Sequence, residues 1–355
     1  MQASSFLAHF TAMMGPFGLY QHATIREPLL REGYCVDDNA RAVIVLSRLL
    51  PIVSSEDTAM AKDLLLRCWK FVCESEIEPG RYHNFRTSEG VWLQTDESED
   101  MYARLIRMLA EVLRNGQVSE LHSQAKNMLP PLLARASSMQ APRFWAECMI
   151  ALADIPDDTG LSDHREPLLK QGREVLGRLW EANSSPDWMW FEERMTYANA
   201  LLPHGLMAFG THAEDLELED ILHKSAEFLI QTTIQNGIFI PIGSNGWYPK
   251  GGTPSRDNQQ AIEAGTMFDF LLAYHGAFPD RVDSNAVAAP YLWFFGHNTN
   301  SVVMADESTG ACLDGLFFHG PNPNYGAESM LAYQYAELLF QNAPLPIRQY
   351  IEQTK

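Results

Sequence analysis

Residues 33–42 read GYCVDDNARA and run straight into VIVLSRLL, so two adjacent carboxylates, Asp37 and Asp38, stand at the mouth of an apolar helix. Acids suit the positive end of a helix dipole, and Asp37 lies four residues before Arg41, the spacing of a pair on one helix face. Asp37 is therefore expected to be structural, with Asp38 kept ionised by the helix N-terminus. TDESEDMYAR repeats the arrangement, with Glu99 beside Asp100 and Asp100 four residues before Arg104. A third acidic pair, Glu192 and Glu193, follows Trp188, Trp190 and Phe191. Apolar surroundings favour a protonated carboxyl, so Glu192 suits a proton donor. A protonated acid and an ionised carboxylate are what cleavage of a glycosidic bond needs, about 6.5 to 9.5 Å apart for inversion and about 5 to 5.5 Å for retention. Asp38, Glu192 and Asp100 are the expected catalytic carboxylates.

Aromatic and amide side chains are interleaved with these acids. Tyr34, Trp190, Tyr197 and Trp247 offer flat faces for the C–H side of a sugar ring, while Asp37, Glu99, Glu193, Asn199, Gln260, Glu263 and Glu328 offer hydrogen bonds to hydroxyls. The expected partner is an oligosaccharide or polysaccharide. Rival chemistries are also present. His204 and His319 would serve an epimerase or isomerase that removes and returns a proton beside a carbonyl. The loop Tyr248-Pro-Lys250-Gly-Gly252-Thr-Pro-Ser-Arg256 has the glycines, hydroxyls and two cations of an anion cradle, which a phosphorylase requires. The acidic run 96–100 lacks the glycine and spacing of a calcium loop, and no nucleotide-binding glycine loop is present, so neither metal nor cofactor is expected.

Those residues must be positioned by the elements around them. Six polar or glycine-rich stretches each end in an apolar, small-residue helix: 37–50, 98–113, 141–154, 195–210, 258–276 and 326–340. Between them lie amphipathic segments with apolar residues three and four apart, such as 57–75, 163–181 and 214–232. A final outer segment is expected from residues 3–14, because only a short tail follows residue 340. Buried helices alternating with half-exposed ones predict an all-α (α/α)6 barrel, a six-hairpin toroid, with at most a small β hairpin built from 237–243 and the stretch around 301–304. No linker divides the chain, so residues 1–355 are expected to form a single domain.

The segments GYCVDDNARA, Trp190-Phe-Glu-Glu-Arg-Met-Thr-Tyr-Ala-Asn-Ala and Asp257-Asn-Gln-Gln-Ala-Ile-Glu-Ala resemble those of a bacterial group in the six-hairpin glycosidase-like superfamily. Members of that group are often encoded beside, or fused to, glycosyltransferases and mannoside phosphorylases. The likeness runs from about residue 18 to Glu328 and implies the barrel and a glycan-related role. Ala198 departs from it, since the resembled pattern reads TYDNA where this chain has Thr196-Tyr-Ala-Asn-Ala. If that acid is catalytic in the group, this chain lacks it, and a non-catalytic glycan-binding module partnering a glycosyltransferase becomes the alternative to an inverting glycoside hydrolase.

Composition bounds the rest. With 355 residues, 46% hydrophobic and 11% aromatic, the chain can bury a large core. A net charge of -19 argues against nucleic acid or an anionic membrane as the partner. The five scattered cysteines form no CxxC pair and are expected to be reduced and mostly buried. The N-terminal residues lack the basic start of a leader, and no apolar run is long enough to span a bilayer, so a cytoplasmic protein is expected. The oligomeric state is not legible.

Overall fold

The structure is a computed structural model that describes residues 3–95, 97–210 and 215–355. Asp96 of the acidic run and Glu214 at the head of the segment 214–232 lie outside the described residues. The fold is all-α, an (α/α)6 barrel, and the chain falls into two compact units, Met1–Val175 and Leu176–Lys355.

The first unit contains α1 (Ala3–Phe6), α2 (Ala8–Met13), α3 (Val36–Leu49), α4 (Ser55–Glu74), α5 (Glu99–Arg114), α6 (His122–Ala136), α7 (Pro142–Asp154) and the first part of α8 (Ser162–Asn183). Helices α3, α5 and α7 pack side by side, α4 lies on α3, and α6 lies on α5. Burial separates the two kinds. Every residue of α5 from Met101 to Leu113 is buried, whereas α4 buries only a stripe, Ala61, Leu64, Leu65, Cys68, Trp69, Phe71 and Val72. That stripe follows the three-and-four spacing of an amphipathic helix.

The second unit contains α9 (Leu201–Gly210), α10 (Leu216–Thr233), α11 (Ala261–Ala277), α12 (Ser284–Trp293), α13 (Ala327–Asn342) and α14 (Leu345–Thr354). Here α9, α11 and α13 are the inner neighbours, α10 lies on α9, and α12 lies on α11. Helix α11 comes close to α13 at Gly265, where a Cβ would lie 3.0 Å from the carbonyl oxygen of Ala332 and would need the two helices to give by a few tenths of an ångström. The tail beyond residue 340 is not too short for an outer helix: it forms α14, which packs on α12. Residues 3–14 form α1 and α2 instead of one helix, and α1 packs on α4.

Two inner helices start later than the apolar pattern predicts. Residues 195–200 stay out of α9 because Ala198 adopts a left-handed backbone (φ 44) and Asn199 hydrogen-bonds the backbone of Thr196 through both ends of its amide. Residues 258–260 stay out of α11, where Asn258 is left-handed (φ 60). The strand content also differs from expectation. Among the described residues there are seven two-stranded antiparallel ladders, all short, rather than one hairpin. Ile238–Phe239 pairs with Ile234–Gln235, and Val303 bridges Phe295, so 237–243 and 301–304 do not pair with each other.

Among the described residues no helix is long and apolar enough to cross a membrane. All five cysteines are free thiols, four of them buried, and burial pushes the Cys148 thiol up to about 12.

Candidate functional site

In the first unit the inner helices begin at one end, and a chain of charges shows it. Asp37, in the first turn of α3, accepts from Arg41 Nη2 at 3.2 Å, the i, i+4 pair predicted by spacing. Its other oxygen accepts from Arg104 Nε at 3.1 Å, one turn into α5. Arg104 also donates to Glu147 of α7, which lies 3.5 Å from Arg107 Nη1. Arg104, Arg107 and Glu147 are all buried. Burial opposes ionisation of Asp37, but the Arg41 and Arg104 guanidiniums outweigh it and hold the carboxyl below the usual range.

Asp38, next along α3, is also buried, while Asp100 is half-buried in the first turn of α5. Glu99 has a structural task, because its Oε2 accepts the backbone N–H groups of Gln140 at 2.9 Å and Ala141 at 2.6 Å, just ahead of α7. Helix α7 has no side-chain cap of its own, so an acid from the neighbouring helix supplies the missing acceptor. Tyr34 does not present a face to a ligand. It has no exposed surface and stacks on Tyr20 at 4.3 Å, with Phe17 and Phe71 around it. Asn39 fastens this wall, accepting from the N–H of Leu19 and donating to the carbonyls of Leu19 and Cys35.

In the second unit the loops ahead of α9, α11 and α13 are knitted at one end. Glu263, in the first turn of α11, accepts from the N–H of Ala198 and lies 3.4 Å from Asn199 Nδ2, so both oxygens bind the turn that leads into α9. Asn199 is likewise buried within that turn. Asp314 caps α13 by accepting from the Gly326 N–H at 2.6 Å and the Ser329 hydroxyl at 2.9 Å. Gln259 and Leu316 exchange two backbone hydrogen bonds, which tie the hairpin of Gly315–Phe317 and Gly320–Asn322 to the start of α11. Gln260, half-buried, is the residue from which α11 departs, and Glu328, also half-buried, lies in the first turn of α13.

Glu192 is half-buried and Glu193 exposed. The indole of Trp188 donates to the Glu192 carbonyl at 2.8 Å, fixing the backbone at that acid. Trp190, like Tyr34, is enclosed: it has no exposed surface and packs against Phe191 and Phe228. Both aromatics are corrected from ligand-facing to core residues, because large rings flanking a loop are drawn into the nearest apolar interior. Tyr197 is 39% exposed, and Trp247 is half-buried in a left-handed conformation (φ 58).

The rival chemistries fare differently. The two cations of the 248–256 loop are committed elsewhere: Lys250 Nζ donates to the Asn183 carbonyl at 2.5 Å, and Arg256 donates to the carbonyls of Ile240 and Thr232. Each cation keeps further donors, so these bonds position the two side chains without excluding an anion. His204 is buried in α9 with Phe270 6.0 Å from its ring, while His319 is exposed at a hairpin tip, stacked on Phe317. A cavity of about 660 Å³ in this unit, lined by Leu206, Leu218, Leu222 and Phe278 among others, holds none of the expected site residues. Sequence reasoning missed Glu147, Asp314 and the long-range role of Arg104. None carries a local signal, since each partner lies in a different segment.

No protein-family model matches the chain, and a search of curated proteins finds no match. Solved structures do match over most of its length. A D-mannose isomerase is 11% identical with a TM-score of 0.70, covering 96% of this chain and 96% of that one. A cellobiose 2-epimerase from Bacillus thermoamylovorans is 10% identical with a TM-score of 0.69, covering 99% and 97%. A GH76 alpha-mannanase from Bacteroides thetaiotaomicron is 10% identical with a TM-score of 0.58, covering 86% and 85%. These structures belong to the six-hairpin glycosidase-like superfamily, and at such identities the likeness is one of fold.

Proposed function

We propose that this chain is a carbohydrate-active enzyme that hydrolyses a glycosidic bond in an oligosaccharide or polysaccharide, by an inverting mechanism run by carboxylates. Asp38, Glu192 and Asp100 are the proposed catalytic groups. The observation that carries the reading is the state of the Asp37–Asp38 pair. Asp37 is held by two guanidiniums, which offset its charge beside the second carboxylate, Asp38. Asp38, in the first turn of α3, is thereby left as the base that activates water. Glu192, on a backbone fixed by Trp188, is the proposed proton donor.

The test is release of reducing ends from a panel of α- and β-linked gluco- and manno-oligosaccharides. Asp38→Asn and Glu192→Gln are each expected to lower turnover by about 10²- to 10⁴-fold while sugar binding persists in calorimetry. Variants as active as the wild type would sink the assignment. A wild type that binds sugars but turns none over would favour a glycan-binding module.

Epimerisation is the second reading, supported by the whole-length match to an epimerase and an isomerase. It predicts exchange of the carbon 2 hydrogen of a reducing sugar for deuterium in D2O, abolished by His204→Ala, with no glycosidic bond cleaved. Phosphorolysis would place an anion at the 248–256 loop, where Lys250 and Arg256 are held by backbone carbonyls.

A further inference from the structure

Of the tryptophan, tyrosine and phenylalanine side chains in the described residues, two are exposed, Tyr197 and Phe318. Both stand in second-unit loops at the end from which α9, α11 and α13 begin. Phe318 is the more exposed, at 70%. It shares with His319 the tip of the two-residue hairpin between Gly315–Phe317 and Gly320–Asn322. Such tips favour Asn-Gly or Asp-Gly, which accept a positive φ. Here neither tip residue has a positive φ, and Gly320 (φ 136) takes the turn instead. Turn chemistry therefore does not account for a phenylalanine at this position, and neither does burial.

The backbone beneath the ring is nonetheless tightly held. The Phe318 N–H donates to Asp257 Oδ1 at 3.0 Å, and Asn300 Nδ2 donates to the carbonyls of Phe317 at 3.2 Å and Phe318 at 3.1 Å. Asp257 is itself fixed by Asn245 Nδ2 at 3.0 Å. The Gln259–Leu316 pairing carries the hairpin beside Gln260, where α11 starts. An apolar ring kept in water on an immobilised backbone is preorganised for a ligand with a flat apolar face.

We propose that Phe318 is a sugar-stacking residue, forming a subsite for a saccharide unit other than the one that reacts. The ring lies against the C–H face of that unit, so its contribution grows with oligosaccharide length. This inference rests on the carbohydrate reading above and names a specificity-determining residue for it.

The test compares wild type, Phe318→Ala and Phe318→Tyr on gluco- and manno-oligosaccharides of two to six units, by turnover and by calorimetric binding. Phe318→Ala is expected to raise KM or Kd for the longer sugars about tenfold, with kcat changed less than about twofold and little effect on the shortest. Phe318→Tyr is expected to stay within about twofold of wild type, and the melting temperature of both variants to be unchanged. An unaltered KM in Phe318→Ala, on a sugar the wild type uses, overturns the subsite and leaves the carbohydrate reading standing. A wild type that neither binds nor converts any member of the panel overturns both. A dimer that dissociates in Phe318→Ala, seen by sedimentation, assigns the ring to self-association and overturns the subsite alone.

Discussion

Asp37, Arg104 and Glu147 show how one guanidinium can organise three helices. Arg104 is buried between two carboxylates, and removing it leaves them with weakened partners in a poorly solvated place. Arg104→Met is expected to lower unfolding stability by about 3 kcal/mol or more, read from urea denaturation. The pH dependence follows from the sign of the shift. The folded carboxyl of Asp37 titrates below the ordinary carboxylate range, so its contribution to stability is present above that range and is lost as pH falls through the lower, folded value. Urea midpoints should therefore fall more steeply between about pH 6 and about pH 2.5 in wild type than in Arg104→Met, which starts less stable but has less of this contribution to lose. Ala198 is a second special residue, because a left-handed backbone is uncomfortable for any side chain and worst for a β-branched one. Ala198→Val is expected to destabilise by about 1 to 3 kcal/mol in the same assay, and by more than Ala198→Gly.

At the scale of elements, helix starts are satisfied in two ways, by a cap of the helix's own, as Ser98 provides for the inner helix α5, or by an acid from another segment. Ser54 and Asp283 cap the outer helices α4 and α12 with their own side chains, as Asp215 caps α10. Helices α7 and α13 have no such cap, and acids from other segments, Glu99 and Asp314, supply the acceptors. Glu263 does the same for the turn entering α9. Packing of the buried ends thus becomes conditional on a neighbour, which couples adjacent inner helices. Glu99→Ala is expected to lower stability by about 1 to 2 kcal/mol and to speed amide exchange selectively at Gln140 and Ala141, measured by NMR. Uniform exchange across α7 would argue against a local cap.

For the molecule as a whole, the excess of acids sets the solution behaviour. A net charge of -19 implies self-repulsion, which salt screens. The urea midpoint is therefore expected to rise between 10 mM and 300 mM sodium chloride, and the protein to bind no immobilised polyanion. A midpoint that falls with salt would mean that the ion pairs described above outweigh the net charge.

The alternation of apolar and amphipathic helices was legible because it depends on local period: a helix buried on all sides and one buried on a stripe differ in their own residues. The Asp37–Arg41 pair was legible for the same reason, since four residues is about one turn. The partners of Arg104, Glu99 and Glu263 were not, because they lie 41 to 67 residues away and only packing brings them into reach. Acid type and position alone could not separate a helix cap from a hydroxyl-binding group. The same holds for the aromatics: ring chemistry is written in the chain, but whether a ring ends in the core, as Trp190 does, or in water, as Phe318 does, is decided by the three-dimensional backbone that carries it.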